Sequence, residues 1–324
     1  MMTAQNELDR NAMGGTELLG ARLEQHLDSN MKGWRDEFQI IRSRVRELEE
    51  GKQKILWLHD LAEDQEAAPL MDAEYRRQFA KLVFVSHWQQ NEYKTKLGIP
   101  FADGIVIKNW IDPIKYTARP PRARRPDQGQ PRRLRFVYHS TPHRGLDILV
   151  AVFHELASHF LTQHNVDLHL DVYSSFKLYG WEGRDAPFLK LFEYIRNHPH
   201  MTYHGTVPNA KIRKALEAAD FFAYPSTWAE TSCLCAIEAM SADCRVITSS
   251  LGALPETISG NGLVYPFSED PQQHANEFFR VCLDEINGFI TDAYRHYQSP
   301  VTHVLRCHTD GASEFQRLLE RLRA

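Results

Sequence analysis

The sequence predicts an α/β protein built from two doubly wound units that face a common cleft. Three observations predict it. Short apolar runs of strand length alternate with segments whose apolar residues recur at helical spacing, the pattern of a parallel sheet covered by helices. The alternation stops at 116–133, "YTARPPRARRPDQGQPRR", and then restarts. Several strands also end in polar residues, where sheets of this kind collect ligands.

The elements follow in chain order. "GGTELLGARLEQHL" (14–27) predicts a helix after a Gly-Gly pair, and "FQIIRSRV" (38–45) a strand. "QKILWLHD" (53–60) predicts a buried strand ending in His-Asp. "AEYRRQFAKL" predicts a helix and "VFVSH" the next strand. In "SHWQQNEYKTKLG", Ser86 with Gln89 three residues on has the form of a capping box, and Gly98 stands where a C-terminal cap belongs. "GIVIKNWID" (104–112) predicts a strand and loop that close a first unit at residues 1–115.

Proline, arginine, glycine and glutamine dominate 116–133, and no aromatics interleave its arginines, so it reads as a hinge rather than a nucleic-acid patch. The second unit, 134–285, opens with the strand "LRFVYHS" and the helix "GLDILVAVFHELASHF". "VDLHLDVYSS", "MTYHG", "DFFAYPS", "CRVITSS" and "GLVYPFS" are its further strands, with helices at "FLKLFEYIRNH", at "PNAKIRKALEAA" behind Pro208, and around 234–241. Residues 286–324 predict C-terminal helices that cross back toward the first unit. The last of them, "SEFQRLLERLRA", is amphipathic: packing is its default use, and its basic end leaves peripheral membrane contact open.

Composition narrows the function. A length of 324 residues favours two domains, and a net charge of −4 gives no global attraction to nucleic acid. Five cysteines, an odd number, argue against a secreted disulfide framework and for a reducing, cytoplasmic setting. The first residues lack the apolar core and basic flank of a signal peptide, and no apolar run reaches membrane-spanning length.

The chemistry concentrates in "STWAETSCLCAIEAM" (226–240). Glu230 is expected just before a helix capped by Thr231 or Ser232, and Glu238 about 9 Å further along it. That separation suits the two ends of an extended ligand better than a retaining-hydrolase pair, which needs about 5 Å. Ionised carboxylates accept hydrogen bonds from vicinal hydroxyls, while free amides at a helix start favour negative charge. A sugar at one end and a ribose at the other is the natural ligand. Cys233 and Cys235, two apart on one helix, point away from each other and make no zinc clamp. A second element, Arg144-Gly145 at a helix start, suits a diphosphate, although a surface arginine would read the same way. The histidines of "NHPHMTYHG" (197–205) fit an ordinary loop and strand better than a metal site.

Residues 202–268 resemble the retaining GT-B glycosyltransferases of family 4. The resemblance rests on a Gly-x-Val step, "AAD" before a strand ending in Pro-Ser, and Glu230 with Glu238 before Ala-Met. It continues through a Gly-x-x-x-Glu turn and "GLV", in the family's order. It implies two Rossmann-like domains and transfer of a sugar from a nucleotide-diphosphate sugar, with no metal and no other cofactor. It further implies that Glu230 holds sugar hydroxyls, that Thr231, Ser232 and Cys233 lie along sugar and diphosphate, and that Glu238 chelates the ribose. Arg144 would neutralise the leaving diphosphate. Gly14 and Gly15 would approach donor phosphate or acceptor, and His59 would touch the donor sugar. Either feature also has a plain structural reading, a helix entry for the glycines and a strand end for His59-Asp60.

The chain departs from the family in three places. No convincing strand precedes Gly14, so against the family the N-terminal unit is expected to be trimmed; Thr-Ser-Cys replaces a glycine-rich turn after Glu230; and His139, Ser140 and Thr141 stand where an arginine is usual. These leave two rival functions open, a nucleotide-sugar epimerase of GT-B type and a non-catalytic glycosyltransferase-like binding partner. Donor sugar, nucleotide base and acceptor (carbohydrate, lipid or protein) are not legible.

Overall fold

A computed structural model describes residues 14–114, 131–291 and 299–324. The leader argument on the first residues and most of the expected hinge therefore lie outside the described residues.

Helix α1 (Gly15–Asn30) and the single turn α2 (Trp34–Glu37) lead into strands β1 (Phe38–Arg42), β2 (Gln53–Trp57), β3 (Lys81–Phe84) and β4 (Gly104–Val106). These pair in parallel in the order β1-β2-β3-β4. The strand expected over 38–45 stops at Arg42 because Ser43 takes a left-handed backbone (φ 56°). The helix expected in "AEYRRQFAKL" shrinks to one turn, α3 (Ala73–Arg76), and Lys81 and Leu82 join β3 instead.

Helix α4 (His87–Leu97) shows how local chemistry sets a boundary. Ser86 accepts from the Gln89 amide at 3.0 Å, and left-handed Gly98 closes the other end. The reciprocal half of the expected capping box is absent. Gln89 is fully buried: its Oε1 accepts from the Val85 amide at 2.9 Å and its Nε2 donates to the Asp60 carbonyl at 2.8 Å. The side chain ties the ends of β2 and β3 together rather than capping its own helix.

The second sheet has six parallel strands: β5 (Arg132–His139), β6 (Val166–Tyr173), β7 (Met201–Tyr203), β8 (Phe221–Tyr224), β9 (Arg245–Ser249) and β10 (Leu263–Tyr265). Their order is β10-β9-β8-β5-β6-β7. The order reverses between β5 and β8, so the loops leaving these two strands diverge and open a crevice. β5 begins two residues before the expected strand at Leu134, because Arg132 and Arg133 pair with Val166 and Asp167 of β6. Helices α5 (Leu146–His164), α6 (Leu189–Asn197), α7 (Asn209–Ala218), α8 (Leu234–Ser241), α9 (Leu254–Ile258) and α10 (Pro271–Ile290) complete this unit. Phe136, Phe153, Phe221 and Phe278 are among its fully buried core rings.

Helices α11 (Val301–Cys307) and α12 (Gly311–Arg323) return the chain to the first unit. The apolar face of α12 packs beside α1, with Phe315 and Leu319 in one core with Leu19, Leu23 and Trp57. That face is therefore occupied by the fold itself. No helix among the described residues is long and apolar enough to cross a membrane.

Candidate active site

A cleft of about 200 Å³ lies between the two units and opens to solvent. Gly15 and Arg22 of α1 and His59 beyond β2 line it from the first unit. From the second unit come the turn after β5 with His139, Thr141 and Arg144, and the stretch Glu230, Thr231, Cys233, Cys235 and Glu238. Ser232 and Gly14 do not line it. Gly14 stands just behind, where an added Cβ would strike the Tyr179 ring; at Gly15 it would come within 2.9 Å of Leu234 across the cleft. The Gly-Gly pair thus lets the start of α1 approach the second unit.

Glu230 is 4 % exposed. Its Oε1 accepts from Arg144 Nη1 at 2.7 Å and from the Tyr224 hydroxyl at 2.6 Å. Burial pushes this carboxyl up and the adjacent guanidinium opposes it; two donors on one oxygen fit the ionised form. Two glycines make this arrangement possible. Gly145 (φ 88°) carries the chain from Arg144 into α5 where a Cβ would run into the Pro225 carbonyl. Gly252 (φ 66°) forms a bridge with Glu230, and the Ala253 amide donates to the Glu230 carbonyl at 2.7 Å. The main chain on both sides of the acid is therefore fixed by the fold.

Glu238, 5 % exposed, has different company. Asn209 Nδ2 reaches its two oxygens at 3.2 and 3.4 Å, and Arg213 Nη1 lies 3.6 Å away. The expected helix cap needs correction. α8 starts only at Leu234 behind Cys233, and no side chain caps it. Thr231 donates instead to the His59 carbonyl at 2.8 Å, joining the two units across the cleft. Because Cys233 precedes the helix with extended backbone (φ −118°), the helical rule does not turn its thiol away from Cys235, and the two thiols act on each other's titration.

His59 packs its ring on Trp57 with centroids 4.6 Å apart. Burial, helped by the charge of Arg42, lowers its pKa to about 3, so the imidazole is neutral near pH 7. Its Nε2 is buried without a hydrogen-bond partner among the described residues, as are His139 Nε2, Thr141 Oγ1 and Arg144 Nε. Buried polar atoms are normally satisfied, so a cleft walled by four orphans is suited to a polar ligand.

Sequence reasoning missed Tyr224 and Asn209, the partners of the two acids, and did not assign His139 or Thr141 to the site. Tyr224 was readable as a strand residue, but nothing local in the sequence says that its hydroxyl turns to Glu230 six residues on. The histidines of 197–205 are used structurally: His198 pairs with His154 at 2.9 Å and His200 with Asp167 at 3.0 Å. Among the described residues no group of three or more His, Cys, Asp or Glu side chains is placed to hold a metal ion.

Comparison with known proteins places this geometry. Residues 133–284 match the family model described as Glycosyl transferases group 1. A search of curated proteins finds no match. Among solved structures, the fold is similar to a glycosyltransferase from Rickettsia africae, with a TM-score of 0.64 at 13 % identity over 98 % of this chain and 84 % of that one. It is similar to sucrose-phosphate synthase from Thermosynechococcus elongatus (TM-score 0.60, 15 % identity, 95 % of this chain and 78 % of that one). It also resembles HepE of Anabaena in complex with UDP-glucose (TM-score 0.56, 15 % identity, 84 % of this chain and 72 % of that one). The chain has the GT-B fold with two Rossmann-like domains, carries a glycosyl transferases group 1 domain at 133–284, and is a glycosyltransferase.

Proposed function

We propose that the chain moves a sugar from a nucleotide-diphosphate sugar to an acceptor hydroxyl, without a metal and with retention at the anomeric carbon. The observation that carries this reading is the single cleft in which Glu230, Glu238 and Arg144 from one unit meet His59 from the other. The acids stand where an extended donor presents hydroxyls at both ends, Glu230 to the sugar and Glu238 to the ribose. Gly15, Thr231 and Cys233, which line the cleft, border the diphosphate, whose developing charge is met by Arg144 and by free amides at the start of α8.

Retention is supported by what the cleft offers as base or nucleophile. Glu230 is engaged by Arg144 and Tyr224, and His59, with a pKa of about 3, is a weak base at neutral pH. An acceptor hydroxyl attacking from the leaving-group face asks for neither, since the departing phosphate oxygen takes its proton. Five free cysteines support a reducing, cytoplasmic compartment.

The test is a thermal-shift screen of nucleotide sugars on the full chain, with Glu238→Ala as control, beginning with UDP-glucose because the Anabaena neighbour binds it. A donor should raise the melting temperature of the wild type and not of the variant. Incubation of that donor with acceptors in chelator should yield product whose anomeric configuration, read by NMR, matches the donor. Inverted product, or activity abolished by chelator, would remove retention or metal independence respectively. Donor binding with no turnover over a broad acceptor panel would favour a binding protein, and solvent deuterium entering the sugar without acceptor an epimerase.

A further inference from the structure

Cys235 lines the cleft and has no part in the transfer described above. It lies in the first turn of α8, half-buried, and its thiol donates to the His139 carbonyl at 2.8 Å, which fixes the sulfur against the end of β5. Two further groups crowd it. Cys233, 2 % exposed, stands two residues before it and opens the helix. The His139 ring, 6 % exposed, shares the same wall, and its Nε2 has no hydrogen-bond partner among the described residues.

Ionisation gives up the bond to the His139 carbonyl, but a helix start, a neighbouring imidazole and an opening to a ligand cleft are surroundings that favour thiolate. We propose that Cys235 is an oxidative-modification site on the wall of the donor cleft, taking up oxygen from hydrogen peroxide. The Cys235 thiolate attacks one peroxide oxygen; the S–O bond forms as the O–O bond breaks, and the sulfur becomes a sulfenic acid. The departing hydroxide takes a proton and leaves as water. Sulfur loses two electrons and peroxide gains them, so no other reductant or oxidant enters.

The electrostatics run in the same direction. The Cys233 thiol first, then His139 and Arg144, hold the Cys235 thiol well below the ordinary thiol range although burial opposes them. Burial would lower the His139 pKa, but the neighbouring Cys235 sulfur outweighs it and raises it. Glu238, also on α8, acts on His139 in the same sense, and the ring of Phe222 on β8 packs on its other side. By contrast, burial pushes the Cys282 thiol up, which removes it from competition.

That the cleft is the donor site rests on the proposed function; the oxidation itself does not. The experiment treats the full chain with increasing hydrogen peroxide, alkylates the remaining thiols with iodoacetamide and measures each cysteine by peptide mass spectrometry. Exposed Cys307 is the reference inside the same sample. Cys235 should lose alkylation at about a tenfold lower peroxide dose than Cys307, and dithiothreitol should restore it. Cys307 reacting first, or together with Cys235, would overturn the proposal. A parallel sample contains UDP. If UDP slows oxidation of Cys235 alone, site and cleft are both supported. If UDP changes nothing while Cys235 still outpaces Cys307, the oxidation site stands and the donor reading is the part that fails.

Discussion

Glu230 and Glu238 belong to one stretch of chain and are almost equally buried, yet their surroundings differ. Glu230 receives an arginine and a phenol at ordinary charge-assisted distances, and its main chain is locked by the Gly252 bridge. Glu238 receives one amide at 3.2 and 3.4 Å and an arginine only at 3.6 Å. The first acid is held before any ligand arrives. The second has donors that a ligand's hydroxyls can replace without leaving a strong partner stranded. With the donor placed as proposed, the rigid end would meet the reacting sugar and the adaptable end the nucleotide, the division that transition-state positioning favours.

The largest effect expected from breaking this contrast is at Glu230→Ala. Arg144 and Tyr224 would lose their shared acceptor, leaving a largely buried guanidinium uncompensated. Loss of one partner of a buried pair costs about 3–5 kcal/mol, measurable by urea unfolding, and sugar transfer should fall below detection. An unchanged urea midpoint would show that the pair does not hold the rigid end.

Gly252→Ala acts on the same end through the backbone. A Cβ there would come within 2.5 Å of the Glu230 nitrogen at a φ of 66°. Stability should drop by more than about 1 kcal/mol, and turnover should fall further than nucleotide affinity does. Equal losses in both would mean that the bridge supports the whole cleft and not one end of it.

Glu238→Ala should cost about 1–3 kcal/mol in nucleotide-diphosphate affinity, read by calorimetry, with a smaller change in the urea midpoint than Glu230→Ala. If the two variants destabilise equally, the difference between the ends is not energetic.

The smallest effect is a pH dependence at His59. Its folded pKa of about 3 lies below the ordinary 6.5, so between these values the unfolded chain binds the proton more readily. The stability that neutral His59 contributes is fully present above pH 6.5 and is lost as pH falls toward 3. His59→Phe should therefore lose less stability than the wild type between pH 6.5 and 4 in urea titrations. Parallel curves would show that His59 is not buried in the neutral form.

Much of this molecule is legible in order along the chain. Ser86 and Gly98 mark the ends of α4, Pro208 the start of α7, and the alternation of apolar runs marks both sheets, because caps and periodicity act over a few residues. The acids were legible as a pattern, but the helix start was not: α8 begins at Leu234, later than the expected cap at Thr231 or Ser232. Nor were the acids' partners. Tyr224, Asn209 and Arg144 meet the acids only because β5, β8 and α7 converge at the switch between β5 and β8.

The amino-acid order alone determined the α/β class, the two runs of strand–helix alternation and the stretch that carries the acids, since each depends on residues near in sequence. Only the folded chain decided that Arg144 binds Glu230, that Thr231 turns from the helix to the His59 carbonyl, and that Cys233 and Cys235 come together. Those outcomes depend on which unsatisfied donor lies nearest once two sheets close on each other. No local rule of spacing contains that geometry.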